Sequence, residues 1–116
     1  MHKNWPAMAD ELNPIIGDLR AAQPDVMRAF GQMAQSALKA GALDVKTKEL
    51  IALAISVAVR CDACITFHAK AAVKAGASDA ELAETMGTAI YMGAGPSAMY
   101  AAQALEAAGQ WRAAVT

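Results

Sequence analysis

An all-α domain is what the sequence predicts, built as a compact bundle of about six helices. Three observations carry that expectation. Alanine is abundant, β-branched residues are sparse outside one stretch, and proline, glycine and capping residues divide the chain at helical intervals. The first helix is expected over Pro6 to Ala22, with Pro14 kinking or splitting it, because proline removes a backbone donor and crowds the preceding turn. The second starts with Pro24 at its first position and ends near Lys39, with Gly41 as the stop. The third has Asp44 as its N-cap and ends near Arg60. Its segment Leu50 to Val59 is apolar almost all round, which predicts a central, buried helix. The fourth runs from Cys61 to Ala75 and is stopped by Gly76. Ser78 and Glu81 form a capping box and open the fifth, which ends near Gly93. Leu82, Met86, Ala89, Ile90 and Gly93 share its core stripe. Pro96 opens the sixth, ending near Gly109 or Trp111.

The chain of 116 residues is read as one domain, residues 1–116. Hydrophobic residues make up 56%, above the usual share, so a short chain must share apolar surface with copies of itself. A homo-oligomer is expected, with the seven methionines as core filler. A net charge of -1 argues against a nucleic-acid surface. No secretory signal is visible, since Asp10, Glu11 and Asp18 interrupt the N-terminal residues. Thr85 to Leu105 carries no charge, but Gly93-Ala94-Gly95-Pro96 breaks it, so two helices meeting at a corner are expected rather than a membrane span. A cytoplasmic location follows, where thiols stay reduced unless they have redox work.

Chemical character is concentrated in one place. The only two cysteines stand as Cys61-Asp62-Ala63-Cys64, and His68 is the only histidine besides His2. On a helix the two cysteines are separated by about 4.5 Å of rise and about 60° of turn, leaving their Cα atoms about 5 Å apart, within reach of a disulfide. His68 follows Cys64 by four residues and shares its face. Thiol redox chemistry needs such a set: a thiolate to attack, a second thiol to resolve, and a base. Cys61 has the helix N-terminus to lower its pKa, whereas Cys64 has the histidine, and physics leaves the nucleophile open between them. If the chain reverses near Arg60, Glu49 lies about 16 Å down the third helix and His68 about 12 Å down the fourth, so an antiparallel pair brings them to similar depth. Glu49 could then orient His68 or pass protons.

Competing readings are two inert buried cysteines, and Glu49 paired with Lys46 or Arg60. A purely structural disulfide closing so short a loop would contribute at most roughly 2 kcal/mol. A zinc site lacks an obvious fourth ligand.

Lys48-Glu49-Leu50-Ile51-Ala52-Leu53-Ala54, then Cys61-Asp62-Ala63-Cys64-Ile65-Thr66-Phe67-His68, then Ala75-Gly76-Ala77-Ser78, resembles the carboxymuconolactone decarboxylase family, in its alkylhydroperoxidase D-like branch. The resemblance spans roughly residues 40–108. It implies an all-α fold, assembly as a trimer or hexamer, and thiol-dependent oxidoreductase activity. It also implies roles: Cys64 forms the sulfenic acid and the mixed disulfide, Cys61 resolves it, and His68 and Glu49 relay protons. The substrate would be a hydroperoxide or a disulfide, and the reductant a dithiol of thioredoxin or lipoyl type. No metal, flavin or other cofactor is implied. The alternative on the same fold is a non-redox lactone decarboxylase, whose members generally lack the cysteine pair. Two departures stand out. Ala63 occupies the position of a second histidine in the prototype hydroperoxidase, and this chain is nearer one of that enzyme's two related helical halves, which makes oligomerisation more necessary.

Overall fold

The computed structural model describes residues 1–115 and contains five helices and no strands among them. They are α1 (Trp5–Ala22), α2 (Pro24–Leu38), α3 (Val45–Ala58), α4 (Asp62–Lys74) and α5 (Asp79–Val115). The expected corner in the last helical stretch is present within α5. Ala94 has φ 55 and ψ -137, so α5 is two helical segments joined at a break. Pro96 has no N–H to give the preceding turn, and a Cβ on Gly93 would collide with the Ser97 side chain. The fifth and sixth expected helices are therefore the two arms of α5.

Local chemistry sets the other boundaries. The Asn4 side chain accepts from Ala7 N at 3.1 Å and caps α1. Pro14 does not split α1, which runs through it unbroken. The carbonyl that Pro14 leaves without its helical donor belongs to exposed Asp10, where water can satisfy it. Asp44 Oδ1 accepts from Thr47 N at 2.8 Å and starts α3. At α5 the capping box closes in both directions: Glu81 N donates to Ser78 Oγ at 3.1 Å and Ser78 N to Glu81 Oε1 at 2.9 Å.

Both ends of the α3–α4 pair use the same stop. After α4, Gly76 takes φ 93, Gly76 N donates to Val73 O at 3.0 Å and Ala77 N to Ala72 O at 3.0 Å. After α3, Arg60 takes φ 59, Arg60 N donates to Val57 O at 3.2 Å and Cys61 N to Ser56 O at 3.0 Å. Here an arginine holds the left-handed position where glycine is usual, directly before Cys61.

The core lies where α3, α4 and α5 meet, with α1 laid against α4 and α5. Its large members are Trp5, Leu53, Val57, Ile65, Leu82 and Met86, all essentially inaccessible. Between them sit Ala69, Ala72, Ala101, Ala104, Ala107 and Ala108, whose small side chains let helices approach closely. Alanine abundance thus serves packing as well as helix propensity. The N-terminus is sewn onto α5. Glu106 accepts from His2 N at 2.6 Å, Trp5 Nε1 at 2.8 Å and Lys3 N at 3.1 Å. Buried Thr66 donates to Trp5 O at 2.8 Å and accepts from Trp111 Nε1 at 3.1 Å, joining α1, α4 and α5.

Three expectations about burial are corrected. The third helix is not buried all round: Leu53 and Val57 are inside, but Ile51, Ile55 and Val59 are exposed. Nor are the methionines mainly core filler, since Met86 is buried while Met1, Met33, Met92 and Met99 are exposed. Ile90, placed on the core stripe of α5, is 38% exposed. For α3, Met92 and Ile90 the cause is shared. One chain is too small to surround α3, so half of its apolar face has no cover within the protomer. Ile51, Ile55 and Met92 line an apolar groove of about 460 Å³ between α3 and the first arm of α5, with Leu50 and Ala89 at its base. Among the described residues no helix is long and apolar enough to cross a membrane.

Candidate active site

Cys61 is the N-cap of α4, and its Sγ accepts from Cys64 N at 3.1 Å. The sulfur therefore stands where the first turn directs its unsatisfied N–H groups, an environment that favours a thiolate. Cys64 lies one turn inside the helix. The two are joined as a disulfide with Cα atoms 5.2 Å apart, in line with the spacing expected from an i,i+3 pair. Both residues are half-buried.

His68 is one further turn along α4, on the Cys64 side. Its Nδ1 lies 2.7 Å from Glu49 Oε1. The two residues are brought together by the antiparallel return of the chain at Arg60 and Cys61, across the α3–α4 contact. Glu49 is only 6% exposed, and among the described residues its ion-pair partner is His68. The competing pairing with Lys46 is excluded, because Lys46 Nζ bonds Glu81 Oε2 at 2.8 Å. That ammonium, with the Ser78 N–H, holds the Glu81 carboxyl below its usual range. Arg60 sits at the turn and is exposed.

The chemistry of this pair follows from its donors and acceptors. A buried carboxylate needs a partner, and an ionised one can only accept. With Glu49 as the acceptor, Nδ1 carries the hydrogen, which leaves Nε2 with the lone pair that can take a proton. The Glu–His arrangement orients a base one helical turn from Cys64. All four residues singled out in the sequence, Glu49, Cys61, Cys64 and His68, thus lie on two adjacent helices around one turn.

Sequence reading missed one long-range contact beside the cysteines. Lys3 Nζ donates to Asp62 Oδ2 at 2.6 Å and to Gln103 Oε1 at 2.8 Å, and lies 5.2 Å from the centre of the Trp5 ring. Asp62 stands between the two cysteines, but its partner is 59 residues away and no local pattern announces it.

The model of the carboxymuconolactone decarboxylase family matches residues 24–107. A carboxymuconolactone decarboxylase family protein from Legionella pneumophila has a solved structure that superposes with a TM-score of 0.90 at 46% identity, covering 93% of this chain and 96% of that one. A second family member, from Thermotoga maritima, superposes with a TM-score of 0.71 at 32% identity over 77% of this chain and 92% of that one, and is described as a possible participant in the antioxidative response. An uncharacterised protein of Cupriavidus necator is 43% identical over 95 residues, covering 82% of this chain and 84% of its own length. With the match running from α2 through most of α5, and with site residues consistent with the alkylhydroperoxidase D-like branch, this chain belongs to the carboxymuconolactone decarboxylase family.

Proposed function

We propose that the protein is a cytoplasmic thiol oxidoreductase of the alkylhydroperoxidase D-like type, which reduces a hydroperoxide or a disulfide at Cys61 and Cys64. The observation that carries the reading is the Glu49–His68 bond of 2.7 Å, set one turn from a cysteine pair already within disulfide distance. A buried acid oriented onto a histidine beside two thiols has no evident structural purpose that an apolar pair would not serve better.

The chemistry runs as a two-electron cycle. His68 Nε2 takes the Cys64 proton. The thiolate attacks the distal oxygen of a hydroperoxide, forming Cys64 sulfenic acid and releasing an alkoxide, which takes a proton from His68 to leave as the alcohol. Cys61 then attacks the Cys64 sulfur. Its proton leaves with the hydroxyl as water, and the Cys61–Cys64 disulfide remains. A dithiol of thioredoxin or lipoyl type reduces that disulfide through a mixed disulfide at Cys64 and becomes oxidised itself. With a disulfide substrate, Cys64 attacks sulfur instead of oxygen and the leaving group is a thiol.

Assembly belongs to the same proposal. We infer a homo-oligomer, a trimer or hexamer, because α2 and the outer face of α3 leave more apolar surface uncovered than a monomer of this size usually shows.

Steady-state assays with a panel of hydroperoxides and disulfides, supplied with a dithiol reductant, test the function. Turnover should require both cysteines and vanish when the reduced protein is alkylated. Turnover of a lactone substrate that survives alkylation would instead support the non-redox decarboxylase.

A further inference from the structure

We propose that Lys3 is a positioning residue for the cysteine pair: its ammonium neutralises Asp62 and so keeps the thiolate of the reduced site accessible. This inference deepens the redox reading of Cys61 and Cys64 and rests on it.

The argument starts from Asp62. It occupies the first position of α4, between the N-cap Cys61 and Cys64. A carboxylate there is favourable to the helix but unfavourable to a second anion, and a Cys61 or Cys64 thiolate would be that anion. Standing alone, Asp62 would therefore raise the pKa of both thiols. It does not stand alone, because Lys3 Nζ lies 2.6 Å from Oδ2.

Lys3 is fixed there by more than this ion pair. Its ammonium also donates to Gln103 Oε1 at 2.8 Å, and its carbonyl accepts from Gln110 Nε2 at 2.7 Å. Its backbone N–H joins those of His2 and the Trp5 indole on Glu106. Lys3 is 29% and Asp62 37% exposed at the side chain, so the pair is partly shielded from solvent. A lysine free in solvent would not be held by four separate bonds over one carboxylate.

Other charges near the pair are already matched or point elsewhere. On α3, Glu49 is engaged by His68. On α5, Glu106 is saturated by the N-terminal donors. On α4, Lys70 lies against the Trp111 ring. Arg60 is exposed at the turn before Cys61 and adds positive potential of its own. His2 lies on the strap beside Glu106. Asp62 is thus the anion nearest the sulfurs along the chain, and Lys3 is its only cation partner among the described residues.

The test is the apparent thiol pKa of the reduced protein, read from the ultraviolet absorbance of the thiolate, which requires no turnover. Lys3→Met should raise it by about half a unit, so that the thiolate fraction well below the pKa falls about threefold. Lys3→Arg should keep the wild-type value. Asp62→Asn in the Lys3→Met background should restore it, because the uncompensated anion is then gone. Raised ionic strength should shrink the difference between wild type and Lys3→Met. An unchanged pKa in Lys3→Met overturns the proposal. So does a rise that Asp62→Asn does not reverse, which would mean that the strap had merely loosened. If these titrations behave as expected but no thiol-dependent turnover is found, the redox function fails and the role of Lys3 stands. Thiol-dependent turnover with an unaltered titration removes the role of Lys3 and leaves the redox function standing.

Discussion

Helices α2 and α4 are of similar length and opposite in fate. In 13 residues α4 buries Ile65, Thr66, Ala69, Ala72 and Val73, whereas α2 buries none of its 15. Both are amphipathic. On α2, Val26, Phe30 and Met33 recur at helical spacing and form an apolar stripe, but each is more than half exposed. The stripe on α4 meets α3, α5 and α1; α2 touches only α1 and, sparingly, α3. An isolated helix of this length is marginal in water, and its stability comes from packing an amphipathic face. The comparison teaches where the protomer is self-sufficient. The candidate active site sits in the part that closes its own core, and the exposed stripe lies in the part that the protomer leaves uncovered.

The sharpest way to break this comparison is to truncate one residue on each side of it. Leu53→Ala empties a site in the closed core and should cost about 2–5 kcal/mol in urea unfolding. Phe30→Ser on α2 should cost an isolated protomer far less, yet shift light scattering toward the 12.0 kDa monomer. Equal losses of protomer stability from both would erase the distinction. Thr66→Val removes the hydroxyl that links Trp5 O to Trp111 Nε1, leaving two buried groups unsatisfied. The loss expected is about 1–3 kcal/mol, measured by the same unfolding, with the redox chemistry of the cysteines intact.

Acid should separate the strap from the core. The backbone N–H of His2 first, and then the Trp5 indole, push the Glu106 carboxyl down to about 2 from an ordinary value of 4.5. A carboxyl depressed in the folded state contributes stability above its unfolded pKa and loses it as pH falls through the folded one. The N-terminal segment should therefore loosen between about pH 4.5 and about 2, seen as faster proteolysis or amide exchange at residues 1–4 while α4 stays protected. Simultaneous loss of protection in both would contradict it. Arg60→Gly should have the smallest effect. It relieves a left-handed arginine and should stabilise by up to about 1 kcal/mol, less the added freedom of the unfolded chain.

What is legible in the sequence is local. The capping box at Ser78 and Glu81, the Asp44 cap, the Gly76 stop and the break near Pro96 each depend on residues within one turn of one another, and each is found where the pattern puts it. Glu49 and His68 are 19 residues apart, yet the register of an antiparallel helix pair suffices to bring them together. The failures are long-range. The apolar run of α3 does not say which face meets the protomer and which is left open, so a reading of the pattern alone puts Ile51 and Ile55 inside. Proline inside a helix predicts a missing bond, but whether Pro14 breaks α1 depends on whether water reaches the freed carbonyl. The Lys3–Asp62 pair has no sequence signal at all.

The central claim is that Glu49 and His68 prepare Cys64 for attack, and pH-dependent alkylation tests it most directly. Rates with iodoacetamide, measured on a Cys61→Ser background, isolate Cys64. His68→Ala and Glu49→Gln should each raise the Cys64 pKa, every unit being worth about 1.4 kcal/mol between its protonation states, and should slow alkylation at neutral pH through the smaller thiolate fraction. The fold and assembly should persist. Rate profiles that coincide with the parent in both variants would show that Cys64 is activated by something else, and the relay would have to be abandoned.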